Sequence, residues 1–170
     1  MSKILYTEPE IQFAVRKLAH DINQDSSKNP NPPVLICILN GAVMFYTDLC
    51  KCLHTDCVMD FIRVKSYEGQ EQKELTLTKD IETNIEGRRV YLVDDIYDTG
   101  NTVKFLVNHL KQYNPQSITP VTLFKSEKSD YEGDTFLMYG FEKKESDWLI
   151  GYGLDGDKGL KRNLPCVMKL

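Results

Sequence analysis

Residues 90–103 of the chain read VYLVDDIYDTGNTV, an apolar run that leads directly into three carboxylates and then into a turn of hydroxyls and glycine. Residues 90–93 predict a strand buried on both faces of a parallel sheet, because all four are apolar and three are β-branched or aromatic. In open α/β sheets, ligands bind beyond the carboxyl ends of the strands. We therefore expect Asp94, Asp95 and Asp98 to lie in a binding site.

The turn after this strand is typical of an anion site. Gly100 allows the backbone to bend sharply and to approach a ligand, and the apolar spacing from Val103 to Leu110 predicts a helix whose free amides point back at the same place. Charge-assisted hydrogen bonds contribute about 1.5–3 kcal/mol each, whereas the helix macrodipole contributes about 0.3–1 kcal/mol. The hydroxyls of Thr99 and Thr102, together with the local amides, should therefore dominate the binding of a phosphate.

The carboxylates need partners of a different kind, because they would repel a phosphate. Adjacent Asp94 and Asp95 can accept hydrogen bonds from a vicinal diol, or they can hold Mg2+, which prefers hard oxygen ligands. Both tasks occur together on a ribose phosphate. Helix capping is the simpler explanation for any single aspartate, but three carboxylates within five positions exceed what capping needs.

Residues 90–103 resemble the 5-phosphoribosyl 1-diphosphate (PRPP) binding motif of type I phosphoribosyltransferases. Further segments resemble the hypoxanthine-guanine branch of that family in the same order: its pyrophosphate loop at 39–41, its flexible-loop entry at 60–67 and its purine-binding strand at 148–155. The resemblance implies a purine salvage enzyme that transfers the phosphoribosyl group from PRPP to hypoxanthine and/or guanine. The products would be IMP or GMP and pyrophosphate, and the cofactor would be Mg2+.

The resemblance assigns the sugar, phosphate and metal contacts to particular residues. Asp98 would be the general base toward the imidazole nitrogen of the purine. The ribose and its 5'-phosphate would be bound by Asp94, Asp95, Asp98, Thr99, Gly100, Asn101 and Thr102. Mg2+ would be held by Asp94, Asp95 and Asp155. The pyrophosphate would be bound by Asn40, Gly41, Arg63, Lys65, Ser66, Tyr67 and Arg162.

Two of these pyrophosphate assignments depart from the family pattern. Asn40 stands where the family often has a lysine, so one positive charge is missing near the leaving group. The segment after Asp155 is one residue longer than usual, and Arg162 rather than Lys161 is assigned to the pyrophosphate.

The purine contacts also follow from the resemblance. Lys125, at the end of the apolar run 121–124, matches the lysine that reaches the exocyclic oxygen of the base. A lysine ammonium only donates hydrogen bonds, so it favours the keto oxygen of a 6-oxopurine over the amino group of adenine. Trp148 matches an aromatic residue that stacks on the base, and Leu149 would present backbone groups to the edge of the base.

The chemistry calls for a lid. Displacement at the anomeric carbon of ribose builds oxocarbenium-like charge, which water captures readily, so the site should close before reaction. Residues 67–74 predict this lid, because they are polar, include a glycine and lack apolar anchors.

The whole chain predicts an α/β architecture: a central, mostly parallel sheet flanked by helices, with a small hood from the terminal segments that covers the purine. We interpret residues 1–170 as a single phosphoribosyltransferase domain. A capping box at Thr7 with Pro9 predicts the first helix, and Gly41 should open a second one that runs to about Leu53. Strands are predicted at 34–39, 58–64, 75–78, 118–124, 136–141, 149–152 and 166–168. The mixed charges at 142–145 predict a solvated turn.

The composition of the chain limits the classes of partner that it can bind. A net charge of −4 disfavours nucleic-acid binding, and no stretch has the length of a transmembrane helix or the character of a signal peptide, so we expect a cytoplasmic protein without a membrane partner. The resemblance implies a homodimer or homotetramer. Spacing disfavours a zinc site among Cys50, Cys52, His54 and Cys57. Two alternatives stay open: a xanthine-preferring phosphoribosyltransferase, and a regulator of this fold that binds a nucleotide without catalysis.

Overall fold

The computed structural model describes residues 3–26, 28–29, 31–68 and 73–170, and it describes residues 66–68 and 73–74 by their backbone alone. The helices are α1 (Glu8–Ser26), α2 (Val43–Lys51) and α3 (Asn101–Lys111), followed late in the chain by a 3-10 turn at Asp157–Gly159. The strands are β1 (Lys3–Tyr6), β2 (Val34–Leu39), β3 (Val58–Glu68), β4 (Lys73–Lys79), β5 (Arg89–Tyr97), β6 (Ser117–Ser126), β7 (Met138–Lys143), β8 (Leu149–Ile150) and β9 (Val167–Lys169).

The larger sheet has the order β4-β3-β2-β5-β6-β7 and is parallel at every step except between β3 and β4. Its centre is β2 beside β5, with Val34 opposite Val90 and Cys37 opposite Val93. These strands are almost continuously apolar because helices cover both of their faces. The predicted α/β architecture with a mostly parallel sheet is confirmed.

Two cores hold the helices against this sheet. One contains α1 and α2, whose buried residues include Ile11, Val15, Phe45 and Leu49. The other contains α3 on the opposite face. One half of the predicted capping box is present at the start of α1, since the backbone N–H of Thr7 donates to Glu10 Oε2 over 2.8 Å; the Thr7 hydroxyl donates to the same oxygen over 2.6 Å.

A second sheet, β1-β9-β8, brings segments from near both ends of the chain together in antiparallel pairs. We call this sheet and the loops that join β8 to β9 the hood. Ile150 pairs with Met168, and Lys3 pairs with Lys169. The predicted hood is therefore present. No helix in the described ranges is long and apolar enough to cross a membrane.

Several predicted boundaries need correction. Strand β3 continues past Val64 to Glu68, where it forms a hairpin with β4; residues 69–72, at the tip of the predicted lid, lie outside the described residues. Helix α2 begins at Val43 rather than Gly41. Strand β7 begins later than predicted and ends at Lys143. The interpretation of residues 142–145 as a solvated turn is thus wrong for Lys143, which is only 7% exposed.

Candidate active site

Asp94 and Asp95 lie near the end of strand β5 rather than in the loop after it. Asp94 is 8% exposed and pairs in register with Thr122 of β6. Its Oδ1 accepts the backbone N–H of Asp95 over 2.9 Å, and Asp95 Oδ1 accepts the N–H of Ile96 over 2.7 Å. Burial, followed by the charge of Asp95, raises the pKa of Asp94 well above its usual range, and burial raises the pKa of Asp95. A cation beside this pair would relieve their repulsion.

This donor set suits a magnesium ion that is shared with the substrate. Mg2+ in phosphate sites is usually held by one or two carboxylates, with substrate oxygens and water completing its shell. Asp94 and Asp95 can supply two carboxylates, whereas the part of the chain that the structure describes contains no cluster of three or more His, Cys, Asp and Glu side chains that could hold a metal. Asp155, the third predicted ligand, forms an ion pair with Arg162, with Oδ2 and Nη2 separated by 3.0 Å.

The segment 98–102, which we call the phosphate loop, connects β5 to α3. Asp98 and Thr99 are exposed, and Gly100 adopts the left-handed conformation with φ of 75°. A Cβ at Gly100 would lie 2.3 Å from the hydroxyl of Tyr97, so a larger residue would clash as well as strain the backbone. No side chain caps α3, although the Thr99 hydroxyl accepts the N–H of Asn101 over 3.4 Å. The start of α3 therefore keeps donors for an anion.

The pyrophosphate loop and the hood pack backbone against backbone beside the aspartates. A Cβ at Gly41 would lie 1.7 Å from Asp95 Oδ2. Gly153 of the hood has φ of +96°, and its Cβ would lie 2.1 Å from the carbonyl oxygen of Gly41. Arg162 fixes this arrangement, because its Nη1 donates to the Gly153 carbonyl over 2.6 Å while its other nitrogen pairs with Asp155. Arg162 therefore lies beside the hood loop that packs on the pyrophosphate loop.

The other residues assigned to the pyrophosphate lie along the same edge of the sheet. Asn40 is exposed and follows a cis peptide bond from Leu39. Arg63 of β3 is half-buried and pairs with Leu39, the last residue of β2, and Lys65 is exposed. The predicted side-chain roles of Ser66 and Tyr67 lie outside the described side chains. All these roles stay predictions.

A cavity of about 290 Å³ lies between the sheet and the hood, and we call it the base cavity. Its lining residues are Asp95, Ile96, Asp98, Lys143, Asp147, Trp148, Leu149, Leu154 and Asp155. A second cavity of about 270 Å³ is lined by Asp98, Thr99, Ser126, Lys128, Ser129, Asp130 and Glu145. The two cavities share Asp98. A larger cavity of about 460 Å³ lies at the opposite edge of the sheet, near Ser117 at the start of β6, and contains none of the predicted site residues.

The structure brings Asp98, Trp148 and Leu149 together around the base cavity, as the resemblance implies. Trp148 is 67% exposed and so leaves a ring face open to a ligand. Lys125 is not among the lining residues. Its Nζ lies 3.5 Å from the carbonyl of Ser126 and 4.0 Å from Glu142 Oε1, so its contact with the base stays a prediction.

Sequence reasoning missed Lys143 and Asp147, which both line the base cavity. The mixed charges around Lys143 predicted a solvated turn, whereas β7 continues to Lys143. The sequence held no local signal for Lys143: only the parallel register of β7 with β6, which pairs Lys125 with Glu142, places Lys143 beside Ser126 at the carboxyl edge.

Comparisons with known proteins show the family of the chain. Residues 1–155 match the family model described as phosphoribosyl transferase domain. The chain is 39% identical over 169 residues to hypoxanthine-guanine-xanthine phosphoribosyltransferase of Tritrichomonas foetus, covering 98% of this chain and 90% of the relative. It is 36% identical to hypoxanthine-guanine phosphoribosyltransferase of Streptococcus thermophilus, covering 98% and 92%. A crystal structure of a hypoxanthine-guanine phosphoribosyltransferase from Bacillus anthracis superposes with a TM-score of 0.86 at 31% identity, covering 100% of this chain and 99% of that chain.

Proposed function

The chain belongs to the phosphoribosyltransferase family, in its hypoxanthine-guanine branch, and from this premise we propose that it transfers the 5-phosphoribosyl group of PRPP to hypoxanthine and guanine. The products are IMP or GMP and pyrophosphate, which makes the protein a purine salvage enzyme. The observation that carries the proposal is the position of Asp98. It lies at the junction of the base cavity with a second cavity that is lined by Thr99 of the phosphate loop.

The sugar phosphate occupies the carboxyl edge of β5. Its 5'-phosphate accepts hydrogen bonds from the first amides of α3 and from the hydroxyls of Thr99 and Thr102. The ribose hydroxyls donate to Asp94 and Asp95, whose negative charge also stabilises the cationic sugar of the transition state. Asp94 and Asp95 would also hold Mg2+, which when bound would supply positive charge to offset that of the departing pyrophosphate. The guanidinium of Arg162, fixed by Gly153, contributes charge on the same side.

The purine enters the base cavity opposite the leaving group. It stacks on the exposed ring of Trp148 and meets the backbone of Leu149 at its edge. Asp98 accepts the proton of the imidazole nitrogen as that nitrogen bonds to the anomeric carbon. The exposed position of Asp98 leaves its carboxylate accessible to the base.

Three further statements are part of the proposal, and the second of them rests on the resemblance alone. The full chain acts as one phosphoribosyltransferase domain, it assembles as a homodimer or homotetramer, and it works in the cytoplasm. Size-exclusion chromatography with light scattering tests the second of these statements.

Nucleotide formation tests the proposal directly. PRPP and Mg2+ are supplied with hypoxanthine, guanine, xanthine, adenine and uracil in separate reactions, and both the nucleotide and pyrophosphate are quantified. Turnover with hypoxanthine and guanine, and none with adenine or uracil, is the expected result. Turnover with xanthine alone would replace the proposal by the xanthine-preferring alternative. Binding of PRPP without turnover on any base would replace it by the regulatory alternative.

A further inference from the structure

Thr122, in the middle of β6, has a buried hydroxyl that the protein leaves without a partner. The residue is 0% exposed, and its Oγ1 forms no hydrogen bond within the described residues. The other buried side-chain atom of this kind among them is Arg89 Nε, but the remaining nitrogens of that guanidinium donate to Asp25 and Asn31. A buried hydroxyl whose hydrogen-bonding capacity is wholly unused lowers the stability of the fold.

The strand register places this hydroxyl beside Asp94. Thr122 pairs with Asp94 of β5, and neighbouring strands lie about 4.8 Å apart. Successive side chains along a strand alternate between the two faces of the sheet. Val93 and Val121, which precede the two residues, both belong to the core that contains α1 and α2. Asp94 and Thr122 therefore share the opposite face, which α3 covers.

The Asp94 carboxyl is engaged with its neighbour in the chain instead. Its Oδ1 accepts the backbone N–H of Asp95, and the two carboxyl groups also contact each other. Two carboxylates that share a site repel each other unless something positive or a donor comes between them. Mg2+ or the ribose diol, the proposed ligands of this pair, would replace that contact. A carboxylate has about four lone-pair sites, so Asp94 would keep capacity for the hydroxyl of Thr122.

We propose that Thr122 is a positioning residue whose hydroxyl donates a hydrogen bond to the Asp94 carboxylate when PRPP is bound, and so fixes the orientation in which Asp94 holds its ligands. The inference rests on the proposed function, since it takes Asp94 as a residue that binds PRPP. A hydrogen bond to a charged acceptor is stronger than one between neutral groups. Binding also removes the cost of the unpaired hydroxyl, and both effects strengthen the binding of PRPP.

Packing alone would predict a different result. A threonine that only fills the core can be replaced by valine, which has nearly the same shape and lacks the hydroxyl, without any effect on ligand binding. The positioning role predicts that the same substitution stabilises the unliganded protein and weakens PRPP binding. Stability and affinity should therefore change in opposite directions.

The test measures PRPP binding by isothermal titration calorimetry with Mg2+ and no base, and urea unfolding of the same preparations without ligand. Thr122→Val should bind PRPP at least about tenfold more weakly, because a hydrogen bond to a charged group is lost. Its urea midpoint should rise, because an unpaired buried hydroxyl is removed. Thr122→Ser keeps the hydroxyl and should bind PRPP nearly as tightly as the unsubstituted protein, although the missing methyl group lowers its urea midpoint.

Thr119→Val is the matched control for this substitution. Thr119 lies on the same strand and is also buried, but it pairs with Tyr91, further from the carboxyl edge. Its substitution should leave PRPP binding unchanged. Thr122→Ala gives a second comparison at a size close to that of serine, and it should bind PRPP at least about tenfold more weakly than Thr122→Ser.

Steady-state kinetics separate this role from contact with the base. Thr122→Val should raise the Michaelis constant for PRPP and leave that for hypoxanthine unchanged. An unchanged Kd for PRPP in Thr122→Val, or equal losses of affinity in Thr122→Ala and Thr122→Ser, would overturn the inference. A lower urea midpoint in Thr122→Val would also overturn it, because the hydroxyl would then have a partner before PRPP binds.

Failure of the inference and failure of the proposed function give different results. If the variants differ in PRPP affinity as expected but the unsubstituted protein converts no base, the proposed transfer is refuted and the role of Thr122 stands. If the unsubstituted protein converts hypoxanthine and the variants bind PRPP equally, the proposed function stands and the role of Thr122 is refuted.

Discussion

Gly41→Ala should lower activity while the protein stays folded, because the new methyl group would enter the space occupied by the carboxylate of Asp95, which we propose binds the ribose and Mg2+. The new Cβ would lie 1.7 Å from Asp95 Oδ2, and ordinary contact begins near 3.4 Å, so one of the two must move by about 1.7 Å. Overpacking of this kind costs about 1–3 kcal/mol of folding free energy, which a domain stable by about 5–15 kcal/mol can tolerate. A displacement of about 1 Å at a catalytic group can cost about a hundredfold in rate.

Steady-state kinetics and thermal unfolding of the same preparations test this reasoning. Gly41→Ala should lower kcat/KM for PRPP by about a hundredfold while the protein stays folded. Gly87→Ala is the control, because Gly87 has φ of +63° but nothing within 4 Å of its Cβ. It should lose stability through backbone strain and keep its activity. A Gly41→Ala enzyme with normal kcat/KM for PRPP would show that Asp95 does not act from the position seen here.

Three further predictions follow. Asp98→Asn should lower kcat by about 10²–10⁴-fold and leave PRPP binding largely intact; near-normal turnover would remove Asp98 as the base. Lys125→Ala should raise the Michaelis constant for hypoxanthine and leave that for PRPP unchanged. An equal increase in both Michaelis constants would mean that Lys125 does not contact the base. Asp80→Asn should lower the free energy of unfolding by about 1 kcal/mol at pH 7: burial raises the pKa of Asp80, but hydrogen bonds from His109 and Tyr113 outweigh it and lower the pKa overall. A carboxylate whose pKa is lower in the folded than in the unfolded protein stabilises the fold, and this contribution is lost as the pH falls and the carboxylate is protonated. The difference in the free energy of unfolding between the two proteins, measured by urea titration, should therefore shrink below about pH 4. A difference that grows in acid would contradict this assignment.

The central part of the fold could be predicted from local sequence because burial on both faces leaves a simple pattern. β2 has the predicted bounds, and β5 contains the predicted apolar run with the carboxylates at its end. Edges of the sheet could not be predicted as well. The polar end of β3 is a strand because β4 pairs with it, and β7 ends where pairing with β6 ends. Such bounds depend on partners distant in sequence.

The same distinction applies to the candidate site. Asp94, Asp95 and Asp98 could be predicted because their place after a buried strand already implies a binding edge. Lys143 could not, since its place at the carboxyl edge depends on the pairing of β7 with β6, which local sequence does not indicate. The mixed charges at residues 142–145 do not indicate that Lys143 belongs to a strand.

The contact between Gly41 and Gly153 sets a limit on how this enzyme can be redesigned. A Cβ on Gly153 would lie 2.1 Å from the carbonyl oxygen of Gly41, so the segment beside the base cavity and the segment beside the leaving group have no room for an inserted side chain. Exchanging the hood loop for one from a relative with a different base preference should therefore also alter the proposed pyrophosphate site. Base preference and leaving-group binding form one unit of exchange, and directed evolution of either should collect its compensating substitutions in the other.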